Sequence, residues 1–170
     1  MKIRQAARVV LLNPQGKVFL LRVTDLYRPA DSWWTTCGGG AELGETPLQT
    51  AARELSEETG LECGPGDLSG PLAEQTVLME YSDRSVHQHE VFYGLRIDED
   101  PDLEDALWTE TEKATIDRWK WWSPEELAAT TEKIYPDRLC ELVALVASGQ
   151  VPAVPLDLGD SLAGVPHASE

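Results

Sequence analysis

Cysteine is scarce in this chain: Cys37, Cys63 and Cys140 are the whole complement. An odd number at wide spacing gives neither a disulfide framework nor a thiolate zinc site. It fits a reducing, cytoplasmic setting. Long apolar runs are missing as well. None approaches the ~20 residues of a membrane helix, so no membrane association is expected. Met1 to Leu12 is basic and then apolar, but the run is short and enters Asn13-Pro14-Gln15-Gly16. It reads as a first strand ending in a turn rather than as a signal peptide. Basic side chains are few, with 14 Lys and Arg against 30 Asp and Glu, a net charge of −16. Such a surface repels polyanions, which argues against long nucleic acid as a partner. A small phosphorylated ligand would need a cation to bridge it.

What remains suits one folded domain. The chain has 170 residues, 42% of them hydrophobic, enough for a sizeable core. Ala6 to Leu12 and Lys17 to Val23 read as strands around the Asn13–Gly16 turn, followed by a loop over Asp25 to Asp31 and a short β-prone piece at Trp33 to Thr36. Thr46-Pro47 reads as a helix start, with Thr46 as N-cap, and Gly60 as its stop after Thr59. Leu72 to Tyr81 and Val86 to Ile97 read as strands around the Ser82–Ser85 turn. Acidic Asp98 to Asp117 reads as loop with a short helix, and Arg118 to Trp122 as a strand. Ser123-Pro124 and Pro136 to Ala147 supply the last helices. The reading is a mixed α/β domain over residues 1–149, with 150–170 a loosely ordered tail.

The segment Gly39 to Leu61, GGAELGETPLQTAARELSEETGL, carries the chemistry. At about 100° per residue, Leu48, Ala52, Leu55 and Thr59 share one helix face, while Glu54, Glu57 and Glu58 share another. Three carboxylates at these spacings repel by a few tenths of a kcal/mol per pair. A hard divalent cation removes that cost, and rigidly held carboxylate oxygens are the ligands it prefers. Arg53 beside the cluster can hold a carboxylate through two parallel hydrogen bonds. A glutamate run alone is usually a solvated face, and a glycine-rich turn alone is common.

Together the two resemble the Nudix box. Gly39, Glu45, Arg53, Glu54, Leu55, Glu57, Glu58, Gly60 and Leu61 fill its fixed places, and none is missed. From average residue usage this combination arises about once in 10⁹ windows. The resemblance implies the Nudix α/β/α sandwich with a mixed sheet and the box as loop–helix–loop. It implies Mg²⁺ or Mn²⁺ held by Glu54, Glu57 and Glu58 with the Gly38 carbonyl, Arg53 orienting the site and Glu45 supporting the loop. It also implies hydrolysis of a diphosphate bond in a nucleoside triphosphate or nucleoside-diphosphate conjugate, by water attacking phosphorus. The alternative in the same fold is a non-catalytic nucleotide sensor, which usually loses box carboxylates.

Outside the box the resemblance is less specific. An accessory carboxylate is expected, with Glu112 first and Glu110, Asp117 and Glu90 behind it. Trp34 and Glu90 are candidates for substrate contact. Where the family often has proline before the paired glycines this chain has Cys37, which loosens the aim of the Gly38 carbonyl; a redox role for Cys37 is the weaker alternative to a small apolar one. His87 and His89 alternate on one strand face and could hold metal or phosphate, though ordinary surface or core roles are commoner. Any of Trp119, Trp121 and Trp122 could stack on a base, although core packing is the usual role. Signatures of NADH, coenzyme A and ADP-ribose cleavage are missing, and Tyr81 lies only roughly where diadenosine-polyphosphate enzymes place a tyrosine. The single asparagine, Asn13, sits in a turn and argues against base readout by Asn. A homodimer is left open.

Overall fold

A computed structural model describes residues 2–80, 84–103 and 106–164, with the backbone alone for 160–164. Tyr81 and the expected turn at Ser82–Asp83 lie outside the described residues. The strands are β1 (Arg4–Leu12), β2 (Val18–Thr24), β3 (Ser32–Thr35), β4 (Cys37–Gly40), β5 (Ser69–Glu80), β6 (Ser85–Arg96), β7 (Ile116–Trp122), β8 (Ile134–Tyr135) and β9 (Leu156–Gly164). The helices are α1 (Pro47–Thr59), α2 (Glu110–Thr115), α3 (Pro124–Ala129) and α4 (Leu139–Ser148). All the strands join one mixed sheet in the order β8-β3-β2-β1-β6-β5-β9, with β4 also on β1 and β7 also on β2. Among the described residues no helix is long and apolar enough to cross a membrane.

The apolar run of β1 explains the layering. A strand covered on both faces loses the polar alternation of a half-exposed one. Ala7, Val9 and Leu11 point to one face, where they pack with Ala51 and Leu55 of α1. Val10 and Leu12 point to the other and meet Leu142, Val143 and Val146 of α4. Helices thus cover both faces of β1, which is the expected α/β sandwich. Full burial of a side chain such as Leu55 is worth about 2–3 kcal/mol, so these two contacts anchor α1 and α4 firmly.

Helix α1 starts where the sequence places it. Thr46 accepts from the Gln49 N–H, Gln49 accepts in turn from the Thr46 N–H, and Pro47 occupies the first turn. At the far end Gly60 takes the left-handed conformation, φ 76°, and returns its N–H to the Ser56 carbonyl. Glycine adopts that φ without the Cβ clash other residues meet.

Three elements depart from the expectation. Gly38 to Gly40 belongs to β4, antiparallel to β1. The last helix begins at Leu139 rather than Pro136. Leu156–Gly164, within the segment read as a loose tail, forms β9 parallel to β5, and Leu156 and Leu158 pack on the α4-side core.

Candidate active site

The box loop and α1 meet at the guanidinium of Arg53. Its Nε donates to Glu45 Oε2 at 2.8 Å and its Nη2 to Glu45 Oε1 at 3.0 Å. Nη2 also reaches the Gly40 carbonyl at 3.0 Å. Nη1 spans Glu54 Oε1 at 3.0 Å and Glu57 Oε2 at 3.2 Å. One planar cation therefore fixes the loop and two carboxylates of the helix. Glu45 also accepts from the Glu42 N–H at 2.7 Å and the Thr50 hydroxyl at 3.2 Å. The Arg53 hydrogen bond above all, with that of Glu42, lowers its carboxyl to about 2. The same Glu45 contact raises the Arg53 guanidinium further above its ordinary value.

Glycine lets β4 come this close. A Cβ on Gly39 would lie 2.5 Å from Glu54 Oε1, and one on Gly38 would lie 2.3 Å from the Ala7 carbonyl oxygen. Neither fits without moving backbone or carboxylate. The Gly38 N–H donates to Glu58 Oε1 at 2.8 Å. Glu58 is buried, and desolvation, then the Glu54 charge, pushes its carboxyl well above the usual range. Glu54 is shifted the same way, first by burial, with Glu57 and Glu112 adding repulsion. Glutamates that resist ionisation together suit a partner of opposite charge.

These groups line a cleft of about 500 Å³ that includes Glu54, Glu57, Glu58, Arg53 and the glycines 38–40. Glu112 lines it from α2, the side opposite the box. Its Oε1 accepts from the Thr109 N–H at 3.0 Å, which fixes the side chain at the start of α2. Two contacts tie the approach to α2 onto the end of α1. Leu107 N–H donates to the Glu57 carbonyl at 2.6 Å, and Trp108 Nε1 donates to the Glu58 carbonyl at 2.9 Å. Both carbonyls belong to the last turn, where no helical N–H is available to them. Trp108 and Leu107 were not read as part of the site from sequence, since nothing in their spacing marks a long-range cap.

The other candidates separate. Trp34 faces the core, stacked edge-on to Trp122 at 5.1 Å, with its Nε1 on Glu132. Its neighbour Trp33 lines the cleft instead, because adjacent strand residues point to opposite faces. Trp121 and Trp119 pack against Phe19. Glu90 is buried beneath the cleft and paired with Arg8 at 2.7 Å. Burial alone would raise its carboxyl, but Arg8, Gln75 and Gln88 outweigh that and hold it low. Asp117 pairs with Arg22 at 2.6 Å and Glu110 with Lys113 at 3.4 Å, neither on the cleft. His89 meets Thr76 and Glu74, away from the box. Cys37 is fully buried in the α1-side core, and desolvation raises its thiol, which fits the small apolar role over the redox one.

The model of the NUDIX domain matches residues 2–142. The chain belongs to the Nudix hydrolase family. An RNA pyrophosphohydrolase of Xylella fastidiosa is 30% identical over 149 residues, which are 81% of this chain and 75% of that protein. One from Erythrobacter litoralis is 31% identical over 137 residues, 75% of this chain and 80% of the relative. The fold is shared with the MutT protein of Methanosarcina mazei at a TM-score of 0.58 and 20% identity, over 86% of this chain and 94% of that one. It is shared too with the NUDIX domain of Shewanella oneidensis NrtR, solved with ADP ribose, at 0.59 and 18%, over 85% and 88%.

The donor set suits a hard divalent ion. Glu54, Glu57, Glu58 and Glu112 line one cleft together with Gly38 and Gly39. Among the described residues no three acidic, His or Cys side chains yet converge on one point. Arg53 stands between Glu54 and Glu57 and holds one oxygen of each.

Proposed function

We propose that this Nudix hydrolase cleaves the diphosphate bond of a nucleoside triphosphate or nucleoside-diphosphate conjugate with water as nucleophile. The observation that carries the reading is the complete Glu45–Arg53–Glu54–Glu57 constellation facing Glu112 across one cleft. A non-catalytic sensor has no need of all these carboxylates. Glu54, Glu57 and Glu58, with the Gly38 carbonyl, would hold Mg²⁺ or Mn²⁺, which would supply charge neutralisation for the substrate phosphates. Arg53 keeps Glu54 and Glu57 on one side of α1. Glu112 accepts the proton of the attacking water, the new P–O bond forms, and the bridging P–O bond breaks toward the departing phosphate. No Ser, Cys or His of the box is placed as a nucleophile, so a covalent intermediate is not part of this scheme.

The relatives bear the name RNA pyrophosphohydrolase, and this favours a second substrate reading, the 5′ end of an RNA. Both readings present the same diphosphate to the box. The net charge of −16 offers little to an RNA body, so the free nucleotide is the first choice. Magnesium-dependent release of phosphate or pyrophosphate from the nucleoside triphosphates, compared with a short 5′-triphosphorylated RNA, tests this. A kcat/KM higher for the RNA than for every free nucleotide reverses the order of the two. Glu57→Gln should lose most turnover and most of the rise in melting temperature that magnesium causes in the parent protein by mass action. Full turnover in that variant rejects the site.

A further inference from the structure

Buried side-chain polar atoms nearly always find a partner. Among the described residues three do not: Thr36 Oγ1, Gln88 Oε1 and Trp122 Nε1. The first two belong to residues that line the cleft, with the oxygens themselves enclosed in its wall. Both residues are buried, Gln88 at 1% and Thr36 at 1% exposure.

Their setting removes the usual escape for an amide, which is to flip. Gln88 Nε2 donates to Glu90 Oε1 at 2.7 Å. Turning the amide over would press its oxygen against that carboxylate. Glu90 itself is held ionised by Arg8 Nε at 2.7 Å and Gln75 Nε2 at 2.8 Å. Arg8 Nη1 then donates to the Thr36 carbonyl at 3.0 Å. One buried network thus fixes both residues, and neither takes part in the phosphate chemistry. Gln88 is left with an acceptor that cannot become a donor. Thr36 lines the same cleft, and its hydroxyl can accept as well. The cleft wall around them is Trp33 and Met79, one flat and one polarisable, which suits the faces of an aromatic ring.

Resting on the hydrolase reading above, we infer that Gln88 and Thr36 recognise the exocyclic amino group of the substrate's nucleobase. An aromatic amine carries two N–H donors and no competing charge, so it matches acceptors that lack a donor. Adenine, cytosine and guanine carry such a group, whereas uracil does not.

Binding of nucleoside monophosphates in magnesium, followed by calorimetry, tests this without requiring turnover. The pairs differ by the amino group alone: adenosine against purine riboside, cytidine against its 4-deamino analogue, guanosine against inosine. In the parent protein at least one amino-bearing member should bind about 10-fold or more tightly than its partner, because the analogue leaves the buried acceptors unpaired. Gln88→Met keeps length and removes the acceptor, and Thr36→Val keeps shape and removes the hydroxyl. Gln88→Met should bring the ratio to within about 2-fold, and Thr36→Val should reduce it. Melting curves show that each variant is folded. Ratios near one in the parent, as a resident water on both oxygens would give, overturn the inference. So do ratios unchanged in both variants, or no binding of any monophosphate. A protein that shows the amino preference but releases neither phosphate nor pyrophosphate from triphosphates keeps this inference and loses the hydrolase reading.

Discussion

Arg53 touches four groups at once, and that geometry sets its replacement value. The fork to both oxygens of Glu45 and the span from Glu54 to Glu57 need a planar cation with several fixed donors. Lysine keeps the charge and loses the fork. Arg53→Lys should therefore lower kcat by about 100-fold, the cost of a small misplacement of reacting groups, while the protein stays folded by melting curve. Turnover equal to the parent would show that Arg53 does not orient the carboxylates. Glu45 gives a pH signature for the same contact. Its folded carboxyl lies at about 2, below the ordinary 4.5. A lowered carboxyl stabilises the fold fully above its ordinary value, and that contribution is lost as pH falls through the folded one. Glu45→Gln should thus melt below the parent at pH 7, and the gap should close as pH falls from 4.5 toward 2. A gap independent of pH would mean that Glu45 acts through packing rather than charge.

At the level of elements, the helix α1 was legible because its signals are local. Thr46, Pro47, Gln49 and Gly60 cap it from within, and the 3.6-residue period sorts core from carboxylate face. Strand β4 was not legible, since Cys37-Gly38-Gly39-Gly40 has little β propensity of its own and is a strand only because β1 pairs with it. Trp34 was named for substrate contact, and its neighbour Trp33 lines the cleft instead, for a related reason. Two adjacent tryptophans carry no alternation, so only the register of β3 on β2, with Trp33 opposite Val23, decides which one faces the cleft. Glu112 was named from composition, and its position depends on contacts 50 residues apart. The Trp108 indole on the Glu58 carbonyl carries α2 to the box. Trp108→Phe keeps the ring and removes that hydrogen bond, at about 1 kcal/mol and about 2–4 °C in melting temperature for a domain of this size. If the contact positions Glu112, kcat should fall while KM for the nucleotide changes little. Loss of stability with unchanged kcat would leave Trp108 as a helix cap alone.

At the scale of the whole molecule, the two core clusters meet across β1, and β9 closes the far edge of the sheet. Sequence reasoning set 150–170 apart because Pro and Gly are frequent there. What the composition conceals is that Leu156 and Leu158 need only two inward positions to dock on the α4-side core, and that β5 offers a free edge for backbone pairing from Ala73 to Glu80. The family match stops at residue 142, so this strand is outside the part that defines the hydrolase. Ending the chain after Pro155 tests which view of the boundary holds. Removing two partly buried leucines costs about 2–3 kcal/mol, or about 5–10 °C in melting temperature. It also uncovers the edge of β5, an invitation to strand pairing between molecules. The shortened protein should melt lower and scatter more light on warming, yet keep its kcat below the new transition, because none of the cleft-lining residues among those described belongs to β9. An unchanged melting temperature would mean that residues 1–149 form the stable domain by themselves, with β9 a weakly held addition to it.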